Sequence, residues 1–164
     1  MKANAHSLPA IVGENPQVLI IGTIPGELSL CRKEYYAASG NSFWKILAKI
    51  YHYHKEFETY DEKLNFLKAN NLALWDAYES CVRKGSADKD IDKSSIKLNK
   101  IATFLKEHPT IKRVVFNGQR AEEALRKQNF AEVCKVIAYS TSQQNTHQTF
   151  DEKVKNWKSC LKIS

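Results

Sequence analysis

The segment Gln17–Gly22 contains an unbroken apolar run, Val18 to Ile21, and this run most constrains how the chain can fold. A strand with one face in water alternates apolar and polar residues, whereas an unbroken run indicates a strand that is covered on both faces. A second run of this kind, Val114 to Phe116, lies within Arg113–Asn117. The sequence therefore predicts a sheet that is packed between helical layers.

Helical patterns alternate with the apolar runs along the chain, and two further strands are predicted at Leu72–Trp75 and Val133–Ala138. The first predicted helix is Ser42–Tyr51 and the last is Thr146–Leu161. Between them, one helix is capped by Ser94 or Ser95, carries Ile96, Ile101, Phe104 and Leu105, and stops before Pro109. Another helix opens at Gly118. Strands that alternate with helices are joined by right-handed crossovers. The predicted fold is therefore α/β, with a short, mostly parallel four-stranded sheet.

Length and composition limit the class of protein. The chain has 164 residues, of which 43% are hydrophobic and 26% are charged, and we expect one globular domain over residues 1–164. No apolar run approaches the ~20 residues of a membrane span, and no apolar stretch typical of a signal peptide follows Met1. The four cysteines are scattered without a CxxC pair, which predicts reduced thiols, a cytoplasmic location (near the nucleoid in a bacterium), and no metal or organic cofactor.

The net charge of +7, from 25 Lys and Arg against 18 Asp and Glu, bears on the partner. A small basic domain is typical of proteins that bind a polyanion, nucleic acid above all, because each neutralised phosphate releases counterions. A lysine-rich surface is also common in proteins that bind no nucleic acid, so charge alone leaves both interpretations open. The candidate phosphate contacts are Arg83, Lys84, Lys112, Arg113, Arg120 and Lys127.

Ligand sites in parallel sheets lie beyond the carboxyl ends of the strands. The first predicted strand runs into Gly22-Thr23-Ile24-Pro25-Gly26, a tight turn whose backbone amides could approach a ligand or a phosphate. This turn lacks the Lys-Ser/Thr pair of a nucleotide P-loop and the GxGxxG pattern of a dinucleotide fold. Asn117-Gly118, after a later strand, could line the same pocket, but a simple strand-to-helix turn is favoured.

A tyrosine-rich element, Tyr35 to Trp44, precedes the first predicted helix. Tyrosine rings offer flat apolar faces on which a nucleobase can stack, for about 1–3 kcal/mol per base, and Tyr36 is the candidate. Phe43 and Trp44 are expected on the buried face of the helix. Asn41 is either a functional amide or the N-cap of that helix.

These motifs together resemble the uracil-DNA glycosylase superfamily, and most closely its hypoxanthine-DNA (deoxyinosine) glycosylases, which are related to the mismatch-specific uracil-DNA glycosylases. The similarity covers the chain from about Ala10 to Thr146. It is carried by four stretches in order, which are Val18 to Leu30 with Tyr35 to Trp44, Leu72 to Ser86, Val114 to Gly118, and Tyr139 to Ser142.

The resemblance implies a three-layer α/β/α sandwich that binds double-stranded DNA, flips out a deaminated or mismatched base (hypoxanthine, with uracil as a further candidate) and hydrolyses its N-glycosidic bond. Much of the superfamily has a water-positioning Asp or Asn in the first turn, where this chain has Ile24. In the hypoxanthine branch the resemblance gives that role to the Asn of Asn-x-Phe-Trp, here Asn41. It also implies that Tyr36 stacks on the base and that Asp76 reads the edge of the base; capping of the turn after the strand is the alternative for Asp76.

Other positions follow from the same resemblance. Ser140 replaces the histidine that usually stabilises the leaving base, and Gln143 replaces a proline in the loop that inserts into DNA. The remaining implied base contacts are Gly22, Thr23 and Ile24, and the implied DNA contacts are Pro25, Gly26, Ser142, Gln143, Gln144 and Asn145. The resemblance implies neither a metal nor a cofactor, and we expect a monomer.

Two other functions are compatible with the residues. A non-catalytic nucleic-acid-binding domain of the same fold would account for Ile24 and for the missing histidine. A small-molecule α/β enzyme could use the Gly22–Gly26 turn for a phosphate, although the tyrosine-rich element argues against it. His52 and His54 are at i, i+2 spacing, which does not place two metal ligands on one helical face, and Cys31 has no histidine nearby in the sequence to activate it. His147 is a candidate phosphate contact or a polar residue at a helix start.

The charge balance predicts that the protein binds nonspecific duplex DNA with a steep salt dependence. Raising the salt from about 50 to 200 mM should weaken binding by roughly tenfold or more, because several phosphate contacts release their counterions. Fluorescence anisotropy of a labelled undamaged duplex measures this. An affinity that is equal at both salt concentrations would contradict the prediction.

Overall fold

The computed structural model describes residues 3–130 and 132–162. The strands are β1 (Ala3–His6), β2 (Val18–Gly22), β3 (Leu72–Asp76), β4 (Tyr78–Arg83), β5 (Ile91–Leu98), β6 (Arg113–Asn117) and β7 (Cys134–Ala138). The helices are α1 (Glu27–Arg32), α2 (Phe43–Ile50), α3 (Tyr60–Ala69), α4 (Ile101–Glu107), α5 (Gln119–Leu125) and α6 (Phe150–Leu161), with a short 3-10 turn at Asp88–Asp90.

A parallel sheet of four strands in the order β3-β2-β6-β7 forms the centre of the fold. The sequence-based prediction of these strands and of an α/β fold is confirmed. The central strand is buried on both faces, since Leu19, Ile20 and Ile21 have no exposed surface. Ile20 packs into one hydrophobic cluster, and Leu19 and Ile21 pack into the other. The two clusters explain why the apolar run of β2 does not alternate.

Each face of the sheet is covered by its own group of helices. The first cluster contains Leu47 of α2, Leu67 of α3 and Trp157 of α6. The second contains Phe104 of α4 and Ala121 of α5. The chain therefore forms three layers, with the sheet in the middle.

A second sheet, antiparallel and of order β1-β4-β5, was not predicted from the sequence. The prediction of a helix capped by Ser94 or Ser95 is wrong, because both residues lie in β5 and α4 begins only at Ile101. Pairing with β4 decides the outcome: the Ser95 hydroxyl accepts a bond from the Val82 amide and donates one to the Asp92 carbonyl.

The last helix begins later than the sequence indicated. Thr149 caps α6 through its side chain, which accepts from the Glu152 amide, while the Glu152 carboxylate accepts from the Thr149 amide. This capping box fixes the start at Phe150 rather than Thr146. His147 therefore lies in the loop before the helix. Among the described residues, no helix is long and apolar enough to cross a membrane.

Asn99 joins the small sheet to the end of β3. Its side-chain amide is buried and donates to the Asp76 carbonyl at 2.8 Å and to the Ser7 hydroxyl at 3.2 Å. Its backbone amide donates to the Ala77 carbonyl, and its carbonyl accepts from the Gln128 side chain. The segment that follows β5 is thereby fixed to the strand end that bears Asp76.

We expect Asn99→Ala to lower the free energy of unfolding by about 2 kcal/mol, because the substitution leaves the buried Asp76 carbonyl without a donor. Urea denaturation followed by circular dichroism measures the change. Lys97→Ala, on an exposed position of β5, is the control and should stay within about 0.5 kcal/mol of the parent. Equal stability of all three proteins would contradict the prediction.

Candidate active site

A cavity of about 240 Å³ opens at the carboxyl ends of the parallel strands. The turn Gly22–Gly26 forms one wall, and the tyrosine-rich element and the loop after β7 form others. The segment 86–88, between β4 and β5, completes the lining. This position is where ligands bind in open parallel sheets.

Gly22 allows two polar groups to come unusually close to the backbone. A Cβ atom placed on Gly22 would lie 2.5 Å from Asp76 Oδ1 and 2.6 Å from Tyr36 Oη. The Gly22 and Thr23 carbonyls accept from the Ala77 and Tyr78 amides, which ties the turn to the connection after β3. A glycine is therefore required here for packing and not for a left-handed conformation.

Asp76, the last residue of β3, is 3% exposed and lines the cavity. Among the described residues none donates a hydrogen bond to its Oδ2 atom. The pKa of this carboxyl is raised to about 7, mainly by burial and also by the charge of Asp88, against the lowering effect of Arg83. The backbone amides of Ala77 and Tyr78, which follow Asp76, donate to carbonyls of the Gly22–Gly26 turn. The Asp76 carboxylate therefore does not cap the turn after β3.

Tyr36 is held in place from two sides. Its ring stacks on Phe43 with centroids 4.1 Å apart, and its backbone adopts a left-handed conformation with φ of 54°. Asn117 donates to Tyr36 Oη at 3.1 Å and to the Thr141 hydroxyl at 2.9 Å, and its Oδ1 accepts from the Thr141 amide. Burial and the nearby Asp76 raise the pKa of Tyr36, so the phenol is neutral. Sequence reasoning favoured a plain turn at Asn117, whose only signal was its place at a strand end.

Asn41 lines the cavity and is half-buried. Its Oδ1 accepts from the Phe43 amide at 3.0 Å, while the N-cap position of α2 belongs to Ser42. The N-cap alternative is therefore wrong by one residue, although the side chain does bond to the helix start. An amide oxygen has two lone pairs, so Oδ1 can accept a second hydrogen bond from a water molecule.

The loop after β7 packs against the tyrosine-rich element. Both the amide and the hydroxyl of Ser42 donate to the Thr141 carbonyl, and the Gln143 side chain lies where a Cβ of Gly40 would be. Asn145 turns inward and donates to the Ser140 carbonyl at 3.0 Å. The buried Lys153 ammonium donates to the Asn145 carbonyl at 2.9 Å and thereby anchors the end of the loop.

The structure brings most of the sequence-predicted site residues to this cavity. It is lined by Gly22, Thr23, Ile24, Pro25, Gly26, Tyr36, Asn41, Asp76, Ser140, Ser142, Gln143 and Gln144. Asn145 is not among the lining residues. Within the described part of the chain, no group of His, Cys, Asp and Glu side chains could hold a metal ion.

The basic candidates fall into separate places. Lys112 and Arg113 lie at the amino end of β6, the edge of the sheet opposite the cavity. Arg120, at the start of α5, lies 3.6 Å from the carboxylate of Asp88, a cavity-lining residue. Arg83 is buried, which the sequence did not indicate.

Comparison with known proteins agrees with this architecture. Residues 9–161 match the family profile of the uracil DNA glycosylase superfamily. The chain is 32% identical over 118 residues to proteins named hypoxanthine DNA glycosylase from Methanosarcina barkeri and Methanosarcina acetivorans, a match that covers 72% of this chain and 73% of each relative. A solution NMR structure of a Methanosarcina acetivorans protein proposed to be a uracil DNA glycosylase superposes with a TM-score of 0.82, at 25% identity over 96% of both chains.

The three-layer fold and the cavity at the carboxyl ends of the strands agree with the family that the comparisons show. The chain belongs to the uracil DNA glycosylase superfamily. It is a DNA repair glycosylase that hydrolyses the N-glycosyl bond of a deaminated base.

The close approach at Gly22 yields a prediction. Gly22→Ala should reduce base excision by at least about a hundredfold, because the new methyl group displaces Asp76 or Tyr36 from the cavity. Single-turnover excision and the melting temperature are measured together. The control for folding is Gly26→Ala: Gly26 has φ of −70°, and the nearest atom to its added Cβ is 3.7 Å away, so its melting temperature should match that of the parent. Excision by Gly22→Ala at the parent rate would contradict the prediction.

Proposed function

We propose that the base removed by this enzyme is hypoxanthine, the deamination product of adenine, in double-stranded DNA. The observation that carries the proposal is the Asp76 carboxyl in the wall of the cavity, whose Oδ2 atom has no hydrogen-bond donor among the described residues. An ionised carboxylate only accepts hydrogen bonds. Hypoxanthine presents an N–H donor at N1, whereas adenine presents an acceptor there, so Asp76 favours the deaminated purine. The names of the similar Methanosarcina proteins support this choice.

In the proposed complex the flipped base lies on Tyr36. One face of this ring is covered by Phe43, and the ring lines the cavity, which leaves its other face for the base. Gly22, Thr23 and Ile24 form the floor beneath the base. Unstacking costs a few kcal/mol, and it costs least for a mispaired base such as hypoxanthine opposite thymine.

Hydrolysis requires a water molecule on the sugar side of the bond. We assign its orientation to Asn41, whose Oδ1 accepts a bond from the Phe43 amide and, within the described part of the chain, keeps its second lone pair for the water. The water oxygen forms a bond to C1′, the bond from C1′ to N9 breaks, and its electron pair leaves with the base. The proton lost by the water ends on the departing base. Ser140 lines the cavity where a donor can stabilise that base.

The DNA contacts in this proposal come from the rim of the cavity. Pro25 and Gly26 face the duplex on one side of the flipped nucleotide, and Ser142, Gln143 and Gln144 face it on the other. Asn145 turns inward to the Ser140 carbonyl and supports this loop instead. The net charge of +7 supports binding to the phosphate backbone. We further propose that the protein acts as a monomer without a metal or an organic cofactor, because hydrolysis by a positioned water needs only orientation and electrostatic stabilisation.

Asn41→Ala tests the assignment of the water. We expect excision of hypoxanthine to fall by roughly 10²–10³, while the fold and most of the DNA affinity remain. Single-turnover cleavage of an inosine-containing duplex, scored as abasic sites in the presence of a chelator, measures the rate. Ser39→Ala, an exposed position in the same element that does not line the cavity, is the matched control.

A purely structural Asn41 gives a different result, which is a loss of about 1 kcal/mol of stability with normal turnover of the folded protein. That result would contradict the assignment. If the parent binds the inosine-containing duplex without forming abasic sites, hypoxanthine is not the base that it removes, and the same assay on a uracil-containing duplex tests the other candidate.

A further inference from the structure

Arg83, the last residue of β4, lies buried behind the active-site turn, with only 3% of its surface exposed. Its Nη2 atom donates to the Pro25 carbonyl, 58 positions away along the chain. Within the described residues its Nη1 atom has no hydrogen-bond partner. A buried guanidinium with an unsatisfied nitrogen is costly, so this side chain requires an explanation beyond packing.

The charges around Asp76 supply that explanation. The charges that act on the Asp76 carboxylate are those of Asp88 in the 3-10 turn and of Arg83 in β4, and the phenols of Tyr35 and Tyr36 are close enough for Asp76 to raise their pKa. The field of Asp88 raises the pKa of Asp76, and the field of Arg83 lowers it. Arg120 is partly exposed and already pairs with Asp88. Arg83 is therefore a buried cation that lowers the pKa of both Asp76 and Asp88.

We infer that Arg83 is a positioning residue of the active site, which fixes the Gly22–Gly26 turn through the Pro25 carbonyl and favours the ionised form of the Asp76 carboxyl. This inference deepens the proposed function, in which an ionised Asp76 accepts the N1 hydrogen of hypoxanthine. Under this inference the small antiparallel sheet contributes to the active site, because Arg83 lies at the end of β4 while the cavity is formed at the end of the parallel sheet.

The sign of the effect follows from the charges. Removal of the positive charge favours the neutral form of Asp76, so its pKa rises from about 7 in Arg83→Gln. We expect a rise of about one unit, the low end of the effect of an adjacent opposite charge. Under the proposed function, the acid limb of the excision rate moves to higher pH by the same amount.

The titration of Asp76 tests the inference without a substrate. Protein labelled with 13C at the aspartate carboxyls is titrated by NMR across about pH 5 to 9, with Asp76→Asn identifying the resonance. Arg113→Gln is the matched control, since Arg113 also donates to a backbone carbonyl, that of Cys160, but at the opposite edge of the sheet. The Asp76 titration should move in Arg83→Gln and not in Arg113→Gln. The amide resonances of Ile24 and Gly26 should shift only in the former.

Two further variants separate charge from packing. Arg83→Lys keeps the positive charge and should titrate with the parent. Arg83→Met removes the charge but fills the space, a replacement that buried charged sites often tolerate, and it should titrate with Arg83→Gln. If Arg83→Gln does not fold, the Asp76 titration is measured in Arg83→Met instead.

An unchanged Asp76 titration in the uncharged variants would overturn the inference, and so would an equal shift in Arg113→Gln. The excision assay is evaluated separately, on the inosine-containing duplex. If the parent excises nothing at any pH, the proposed function is wrong, while the titration still decides the role of Arg83.

Discussion

Strand β2 is buried on both faces and ends in a glycine, and the geometry of the site depends on that combination. Its register sets Gly22 beside Asp76 of β3 and Ile21 beside Phe116 of β6, so that Asn117 follows at the same edge. The pairing of β3, β2 and β6 thereby places Asp76 and Asn117 at the same height, at the carboxyl ends of their strands. The absence of a side chain on Gly22 then gives the Asp76 carboxylate and the Tyr36 hydroxyl the space that they share.

The site is held in a state that is unfavourable for stability. An Asp76 pKa of about 7 lies well above the ordinary aspartate value of about 4. Between these two pH values the unfolded chain therefore binds fewer protons than the folded chain. The free energy of unfolding therefore falls as the pH rises through that interval. The left-handed backbone of Tyr36 is a second unfavourable feature. The Tyr36 conformation persists because Asn117 holds its hydroxyl and because Asn117 and Ser42 both hold the neighbouring loop at Thr141.

The mechanism proposed above needs no strong general base. In it Asn41 orients water without deprotonating it, so electrostatic stabilisation supplies most of the rate enhancement. Such stabilisation is effective only where the dipoles are fixed before the substrate binds. The contacts that fix them run between elements distant in sequence, such as Ser42 with Thr141 and Arg83 with Pro25.

By itself, the sequence determined the buried strands, the polar residues at their carboxyl ends and the family, because these are recorded in local patterns of apolar and motif residues. It did not determine β5 or the place of Arg83. Ser94 and Ser95 are compatible with a helix start until β4 pairs with them, and a lone arginine in a sequence is most often at the surface. Only the tertiary structure decided that Arg83 is buried and that no described residue donates a hydrogen bond to Asp76 Oδ2. Burial and electric field depend on neighbours far along the chain, and no local pattern records them.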